Sequence, residues 1–295
     1  MTFDLAIIGA GPAGLAAAIT ARSRYKDCLV ISNKFESSAL ARSERVDNYP
    51  GMPRTSGLQL LETMYGQAHS LGAQFSFERL ISILPYGREF GLSTSSEVYS
   101  AKAVVLAIGT QSVKPLEGEA EFLGRGVSYC ATCDGMLYRD RKVVLYGLSD
   151  ESIHEANFLM QIGCEVYFLS PDLDKSAAFA SGLAAGVNLI EGRLTAIVGG
   201  EFGMAGVRYT TANANYEQIL DCQGVFILRP SIAPAALVSG LKMDGAFISV
   251  DERLSTTVPG IFAAGDCVGG RLQIAKSVGQ GQMAAFSAID YLESV

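Results

Sequence analysis

Two cysteines separated by two residues, in Tyr129-Cys130-Ala131-Thr132-Cys133-Asp134-Gly135, carry the most informative chemistry in this chain. That spacing lets the two sulfurs close into an easily reduced disulfide. Asp134, directly adjacent, can move the proton that thiol exchange requires. The competing use of such a pair is half of a structural zinc site, which needs two more ligands, typically a second close pair. Here Cys28, Cys164, Cys222 and Cys267 stand alone, and His69 and His154 are the only histidines. No metal is therefore expected, and the four single cysteines read as small buried apolar residues. A cytoplasmic location is expected from the lack of a signal peptide or membrane span, and six cysteines in 295 residues do not make a disulfide scaffold.

A second constellation can hold a phosphate. Gly9-Ala10-Gly11-Pro12-Ala13-Gly14 follows an apolar run, Asp4–Ile8, and leads into a helical stretch, Leu15–Arg24, with a further strand at Cys28–Ser32. In such a βαβ unit Gly9 permits the tight turn and Gly11 lets backbone approach a pyrophosphate. Gly14 lets helix and strand pack closely, and the helix N-terminus supplies positive dipole. Two later segments fit the same ligand. Gly265-Asp266 follows the apolar Ile261-Phe262-Ala263-Ala264 and places a carboxylate where sugar-chain hydroxyls could donate to it. Ala107-Ile108-Gly109-Thr110 ends the apolar run Ala103–Leu106 and marks another close approach. The strand Cys28–Ser32 ends in Ser32-Asn33-Lys34, without an acidic residue to hold a ribose, and Glu36 comes late.

The elements that must position these groups alternate between strand and helix. Lys142–Leu169 repeats the first unit: a strand at Val143–Tyr146, a turn from Gly147, a helix at Glu151–Ile162 and a strand at Glu165–Leu169. The pattern predicts an α/β fold of two Rossmann-like domains, the second inserted into the first. One domain is expected at 1–112 plus 236–295, the other at 113–235, with crossings near Lys114-Pro115 and Pro230–Pro234. A last helix is expected from about Ser277 to near the C-terminus. The net charge of −7 argues against general nucleic-acid binding and gives no support to an anionic membrane as partner. The first apolar stretch, Leu5–Ala18, is broken by glycines and Pro12 and does not read as a signal peptide or a membrane span.

On these residues the chain resembles the low-molecular-weight thioredoxin reductase family over almost its whole length. The segments that carry the resemblance include Gly9–Gly14, Asp47-Asn48-Tyr49-Pro50-Gly51, Gly124-Arg125-Gly126-Val127-Ser128, Cys130–Gly135 and Gly260–Asp266. Gln273 and the helix containing Gly281-Gln282-Met283-Ala284-Ala285 also match. The resemblance implies FAD in the discontinuous domain, touched by Gly9, Gly11, Pro12, Ala13, Gly14, Asn33, Asn48, Ala107, Gly109, Thr110, Gly265, Asp266, Gln273 and Ile274. It also implies a homodimer, and an inserted domain that rotates to present its cysteines alternately to flavin and to thioredoxin. By that pattern Cys133 faces the flavin, Cys130 exchanges with the partner disulfide and Asp134 is the acid.

The chain departs from the family at the pyridine-nucleotide site. Where NADPH-using members have a glycine-rich turn, this chain has Gly147-Leu148-Ser149-Asp150-Glu151-Ser152. Leu148 and Ser149 obstruct the approach of a phosphate, and Asp150 and Glu151 put negative charge at the helix N-terminus. The strand Glu165–Leu169 runs into Ser170-Pro171-Asp172 with no arginine pair, and Leu228-Arg229-Pro230-Ser231 replaces a second signature. The same losses beside an intact Cys-Ala-Thr-Cys occur in the ferredoxin-dependent flavin thioredoxin reductases, the branch this chain resembles most. Reduced ferredoxin is then the expected donor. The alternatives are a conventional NADPH enzyme with a divergent site and a flavin redox sensor without turnover. Ferredoxins are acidic, so the docking surface should be locally basic. Arg139-Asp140-Arg141-Lys142 and Arg42, Arg45 and Arg54 are the candidates.

Overall fold

A computed structural model describes residues 2–35, 38, 40–110, 116–148, 152–171, 179–200, 203–211, 216–229 and 233–294. Glu36, Lys114, Pro115, Ser149, Asp150, Glu151, Asp172, Pro230 and Ser231, singled out above, lie outside these residues. The chain divides into two compact units, Met1–Ser112 with Ser231–Val295, and Val113–Pro230.

The first unit is built on a seven-stranded sheet. Strands β1 (Thr2–Ile8), β2 (Cys28–Ile31), β3 (Gln74–Ser76) and β6 (Val98–Leu106) run parallel in the order β3-β2-β1-β6. Leu5, Ile7, Val30, Val104, Val105 and Leu106 are buried without exposure, as strands covered on both faces require. The long β6 has two neighbours on its outer side. Its first half pairs antiparallel with β5 (Glu89–Thr94), which continues to β4 (Leu80–Tyr86). Its second half pairs parallel with β16 (Ile261–Ala263). Strand β16 therefore delivers the Gly265-Asp266 turn to the same edge of the sheet as Ala107–Thr110.

Helix α1 (Pro12–Ser23) packs against the C-terminal helix Ile274–Ser294, which begins one turn earlier than the sequence pattern suggests. Their contact is made of small residues: Ala13, Ala17 and Ala21 from one, Gly281, Ala284, Ala285 and Ala288 from the other. The approach is closest at Gly281, where a Cβ would lie 2.0 Å from the carbonyl oxygen of Ala13.

The second unit has its own seven-stranded sheet, in the order β12-β11-β10-β9-β8-β13-β7. Strands β7 (Val127–Ser128), β8 (Lys142–Gly147), β9 (Glu165–Ser170) and β13 (Gly224–Leu228) are parallel, with helix α5 (Ser152–Gln161) connecting β8 to β9. Strands β10 (Asn188–Gly200), β11 (Gly203–Thr211) and β12 (Gln218–Asp221) form an antiparallel ribbon grown from the parallel β9–β10 pair. Both units are thus Rossmann-like, each with an antiparallel extension. Among the described residues no helix is long and apolar enough to cross a membrane.

Gly281→Ala should destabilise the protein by about 1–3 kcal/mol, because the added methyl meets backbone that cannot turn aside. Gly66→Ala, at an exposed site of helix α2 (Gly57–Ser70) with nothing within 4 Å of the new methyl, should stabilise by roughly 0.5–1 kcal/mol. Denaturant midpoints of both variants measure this; a Gly281→Ala protein as stable as the parent contradicts the packing described.

Candidate active site

The nucleotide cradle of the first unit is shaped by main chain. Gly9 has φ +110°, and a Cβ on it would lie 2.3 Å from the Ala107 carbonyl oxygen. A Cβ on Gly14 would lie 1.8 Å from the Gly9 carbonyl oxygen. Gly11 is different: a Cβ there would meet nothing within 4 Å, so its surroundings are open. Gly11 is the N-cap of α1 with Pro12 at the first helical position; no side chain caps the helix and its first turn has no acidic residue. The Ala10 amide donates to Ser32 Oγ at 3.1 Å, which fixes the turn against the end of β2.

Asp266 sits in a short 3-10 turn, Gly265–Val268. Its Oδ1 accepts from Ser277 Oγ at 3.1 Å and lies 3.9 Å from Lys276 Nζ. Lys276 also donates to the carbonyl oxygens of Gly265 at 2.9 Å and Gly269 at 2.5 Å, and the Gly265 amide donates to Gln280 Oε1 at 3.1 Å. Sequence reasoning missed Lys276 and Gln280, which lie on the exposed-looking side of the last helix. Gly265, with φ +84°, packs against Ala13. Asn48 and Gln273, far apart in sequence, come together through a 3.0 Å hydrogen bond from Asn48 Nδ2 to Gln273 Oε1. Ile274 follows as the first residue of the last helix. Ala107 is buried, Gly109 is left-handed at φ +67°, and Asn33 and Thr110 are exposed. An open glycine, an uncapped helix start free of negative charge and a bonded carboxylate fit the pyrophosphate and sugar chain of a dinucleotide.

In the second unit Cys130 and Cys133 are joined as a disulfide with Cα atoms 5.4 Å apart. Cys130 is buried at 2% exposure, whereas Cys133 is exposed. Cys130 caps the short helix α4 (Ala131–Asp134): its sulfur accepts the Cys133 amide at 3.1 Å and lies 3.3 Å from the Thr132 hydroxyl oxygen. Ser128 acts as a hub beneath this segment. Its Oγ donates to Asp134 Oδ2 at 2.7 Å and accepts the Cys130 amide at 3.1 Å. Glu155, buried on α5, accepts the Ala131 amide at 2.7 Å. Glu155 could not be found by spacing alone, because a carboxylate on the inner face of a helix carries no motif.

The end of the β8–β13 sheet is occupied by the protein's own side chains. Gly147 remains, but a Cβ there would lie 2.2 Å from the Phe168 ring, so packing alone accounts for it. Leu148 packs on the core of this unit and its amide donates to the Leu228 carbonyl at 3.3 Å. Arg229 makes a buried two-pronged ion pair with Glu119: Nη1 meets Oε1, and Nη2 donates to Oε2 at 2.7 Å. The Tyr129 hydroxyl donates to Glu119 Oε1 at 2.9 Å and the Leu116 amide to Oε2 at 2.7 Å. Burial alone would raise the Glu119 carboxyl, but the bonds from Arg229, Leu116 and Tyr129 outweigh it and hold the group below its ordinary value. The stabilisation this gives is present at neutral pH and is lost as pH falls through that depressed value.

No cluster of metal-ligating side chains occurs among the described residues. The four other cysteines are buried and free, and burial raises their thiols: Cys28 and Cys222 to about 12 and Cys267 to about 11, with Cys164 raised as well. After reduction, iodoacetamide at about pH 8 should therefore label Cys130 or Cys133 and leave Cys28, Cys222 and Cys267 unmodified. Peptide mapping by mass spectrometry checks this; comparable labelling at Cys222 or Cys267 contradicts it.

Residues 3–284 match the family of pyridine nucleotide-disulphide oxidoreductases. A thioredoxin reductase of Aquifex aeolicus (strain VF5) is 35% identical over 276 residues, spanning 90% of this chain and 85% of the relative. The crystal structure of a ferredoxin-flavin thioredoxin reductase from Clostridium acetobutylicum superposes with a TM-score of 0.86 at 35% identity, covering 100% of this chain and 99% of that one. A thioredoxin reductase from Gloeobacter violaceus superposes with a TM-score of 0.80 at 33% identity, covering 99% and 95%. Thioredoxin reductases of this family bind FAD, and the cradle around Gly11 fits that cofactor. With a Rossmann-like pair of units, this cradle and a cysteine pair in disulfide form, the chain belongs to the pyridine nucleotide-disulphide oxidoreductase family and is a thioredoxin reductase-type flavin disulfide oxidoreductase.

Proposed function

We propose that this protein reduces thioredoxin, or a similar protein disulfide, through FAD and the Cys130–Cys133 pair, with reduced ferredoxin as electron donor. One contrast carries the reading. The cysteine segment is supported by Ser128, Glu155 and the Cys133 amide, while at the ends of β8 and β13 Leu148 packs on the core and Arg229 pairs with Glu119, which favours a donor other than a pyridine nucleotide. The likeness to a ferredoxin-flavin thioredoxin reductase over the whole chain supports the same donor.

FAD, when bound, accepts electrons singly or in pairs and passes a pair to a disulfide. Gly9, Gly11, Pro12, Ala13 and Gly14 would hold its pyrophosphate, and Asp266, fixed by Ser277, would accept from its sugar chain. Asn48, Gln273 and Ile274 would line the ring end, with Ala107, Gly109, Thr110 and Asn33 at the remaining contacts. The pair of electrons opens the Cys130–Cys133 bond. Cys130, as thiolate, attacks the acceptor disulfide; Cys133 then attacks Cys130, re-forming the internal bond and releasing the acceptor as a dithiol. Asp134, oriented by Ser128, supplies the proton to the leaving sulfur. Attack by Cys130 on a protein requires this buried sulfur to become exposed. We retain the homodimer as part of this proposal.

A second reading, with NADPH as donor, draws on the likeness to enzymes named simply thioredoxin reductases. Anaerobic mixing separates the two. Stoichiometric reduced ferredoxin should bleach the flavin absorbance rapidly, and NADPH should leave it nearly unchanged. In coupled assays Cys130→Ser and Cys133→Ser should keep FAD and lose thioredoxin reduction. Rapid bleaching by NADPH overturns the donor assignment, and substantial turnover by either serine variant overturns the cysteine assignment.

A further inference from the structure

The chain is acidic overall, yet its negative charge avoids one region. Residues 48–61 contain Arg54 and no Asp or Glu; residues 267–289 contain Arg271 and Lys276 and no Asp or Glu. The Asn48–Gln273 hydrogen bond brings these two carboxylate-free segments together. The loop bearing Arg54 is pinned at both ends, by the paired Val46 and Thr55 (Val46 amide to Thr55 carbonyl, 2.7 Å) and by the Gly57 amide on the Ser43 carbonyl at 2.8 Å. Arg54 is held in a left-handed turn with φ +57°. Arg54 and Arg271 are exposed and, among the described residues, neither pairs with a carboxylate. Between Arg271 and Gln273, Leu272 is 51% exposed, and Pro50 and Pro53 are exposed on the facing loop.

The other basic run behaves differently. Arg139 pairs with Asp140 at 4.0 Å, and Lys142 pairs with Glu165 at 3.8 Å while lying over the Tyr167 ring. Two of its three cations are thus met within the chain, and Arg141 is exposed. Arg45, beside the first patch, likewise pairs with Asp47 at 2.7 Å, whereas Arg54 and Arg271 have no carboxylate partner among the described residues; Arg42 nearby is also exposed and reaches only the Ser38 carbonyl.

We infer that Arg54, Arg271 and Leu272 form the docking face for the electron donor, a small acidic iron–sulfur carrier; this rests on the ferredoxin reading above. A small exposed apolar centre flanked by unpaired cations suits a transient, electrostatically steered encounter. Asn48 and Gln273, expected at the flavin ring, place the face beside the group to be reduced. Each docked carrier is oxidised by one electron, so two encounters supply the pair that the flavin takes up with protons from water. Concentrating positive charge on one face of an otherwise acidic protein also orients the approach of an acidic partner.

The test uses the FAD-loaded protein, an acidic [4Fe–4S] ferredoxin and reduced methyl viologen, a small cationic donor. In wild type, reduction by ferredoxin should be fast and should slow as salt rises. In Arg54→Glu/Arg271→Glu it should fall by about tenfold or more at low salt and lose most of its salt dependence. Reduction by methyl viologen should not fall. Calorimetric titration with oxidised ferredoxin, which involves no turnover, should show weakened binding in the same variant. Arg54→Glu alone, on an exposed turn, should move both readouts in the same direction with FAD content unchanged, and Arg54→Lys/Arg271→Lys should stay near wild type. If ferredoxin reduces wild type and both Glu variants equally well, the docking face is wrong and the donor reading stands. If ferredoxin does not reduce wild type at all, both fall.

Discussion

Backbone packed against backbone around the first turn of α1 is the constraint on which the rest of the first unit depends. Gly9 must pass under Ala107, Gly14 must sit against Gly9, and Gly281 must sit against Ala13. Together these contacts bring β1, β6 and the last helix to one point and leave Gly11 as the open position there. Side chains at any of the three sites would push the elements apart. The helix start at the centre has no side-chain cap and no acidic neighbour in its first turn, so a bound anion would complete it. Asp266 reaches the same place because β16 pairs with the second half of β6, and Ser277 and Lys276 then hold it.

In the second unit the ends of β8 and β13 are held by the packing of its own side chains. Gly147 persists because Phe168 leaves no room for a Cβ. Leu148 turns into the core, and Arg229 is committed to Glu119. Removing one partner of such a pair would strand a buried charge, at a cost of about 3–5 kcal/mol. The Tyr129 hydroxyl on the same carboxylate ties this pair to the residue next to Cys130. The same unit presents the cysteines, which follow β7 and open the short helix α4.

Much of this was legible in the sequence, because the residues involved act through backbone geometry and short spacing. Gly9–Gly14 named its own turn, Cys130–Cys133 its own bond, and the strand–helix alternation the doubled fold. Long-range partnerships were not legible. Asn48 with Gln273 and Glu155 with the Ala131 amide depend on how elements are arranged around the sheets, which no local pattern encodes. The antiparallel ribbon β10–β12 and the hairpin β4–β5 were missed, since their alternation is diluted by glycines and by exposed residues such as Leu84, Tyr86 and Ile219. The relation of exposure to role was also hidden: Cys133 is the exposed sulfur and Cys130 the buried one.

Flavin and disulfide are expected to form one electron path. Anaerobic reductive titration of the purified protein, followed by flavin absorbance and thiol counting, tests it most directly. The wild-type chain should take up two electrons for FAD and two more for the disulfide, with thiols appearing as the flavin exchanges electrons with the cysteines. Cys130→Ser/Cys133→Ser should take up only the flavin's pair. A wild-type chain that stops at the flavin's pair, with Cys130–Cys133 still oxidised, would contradict the account.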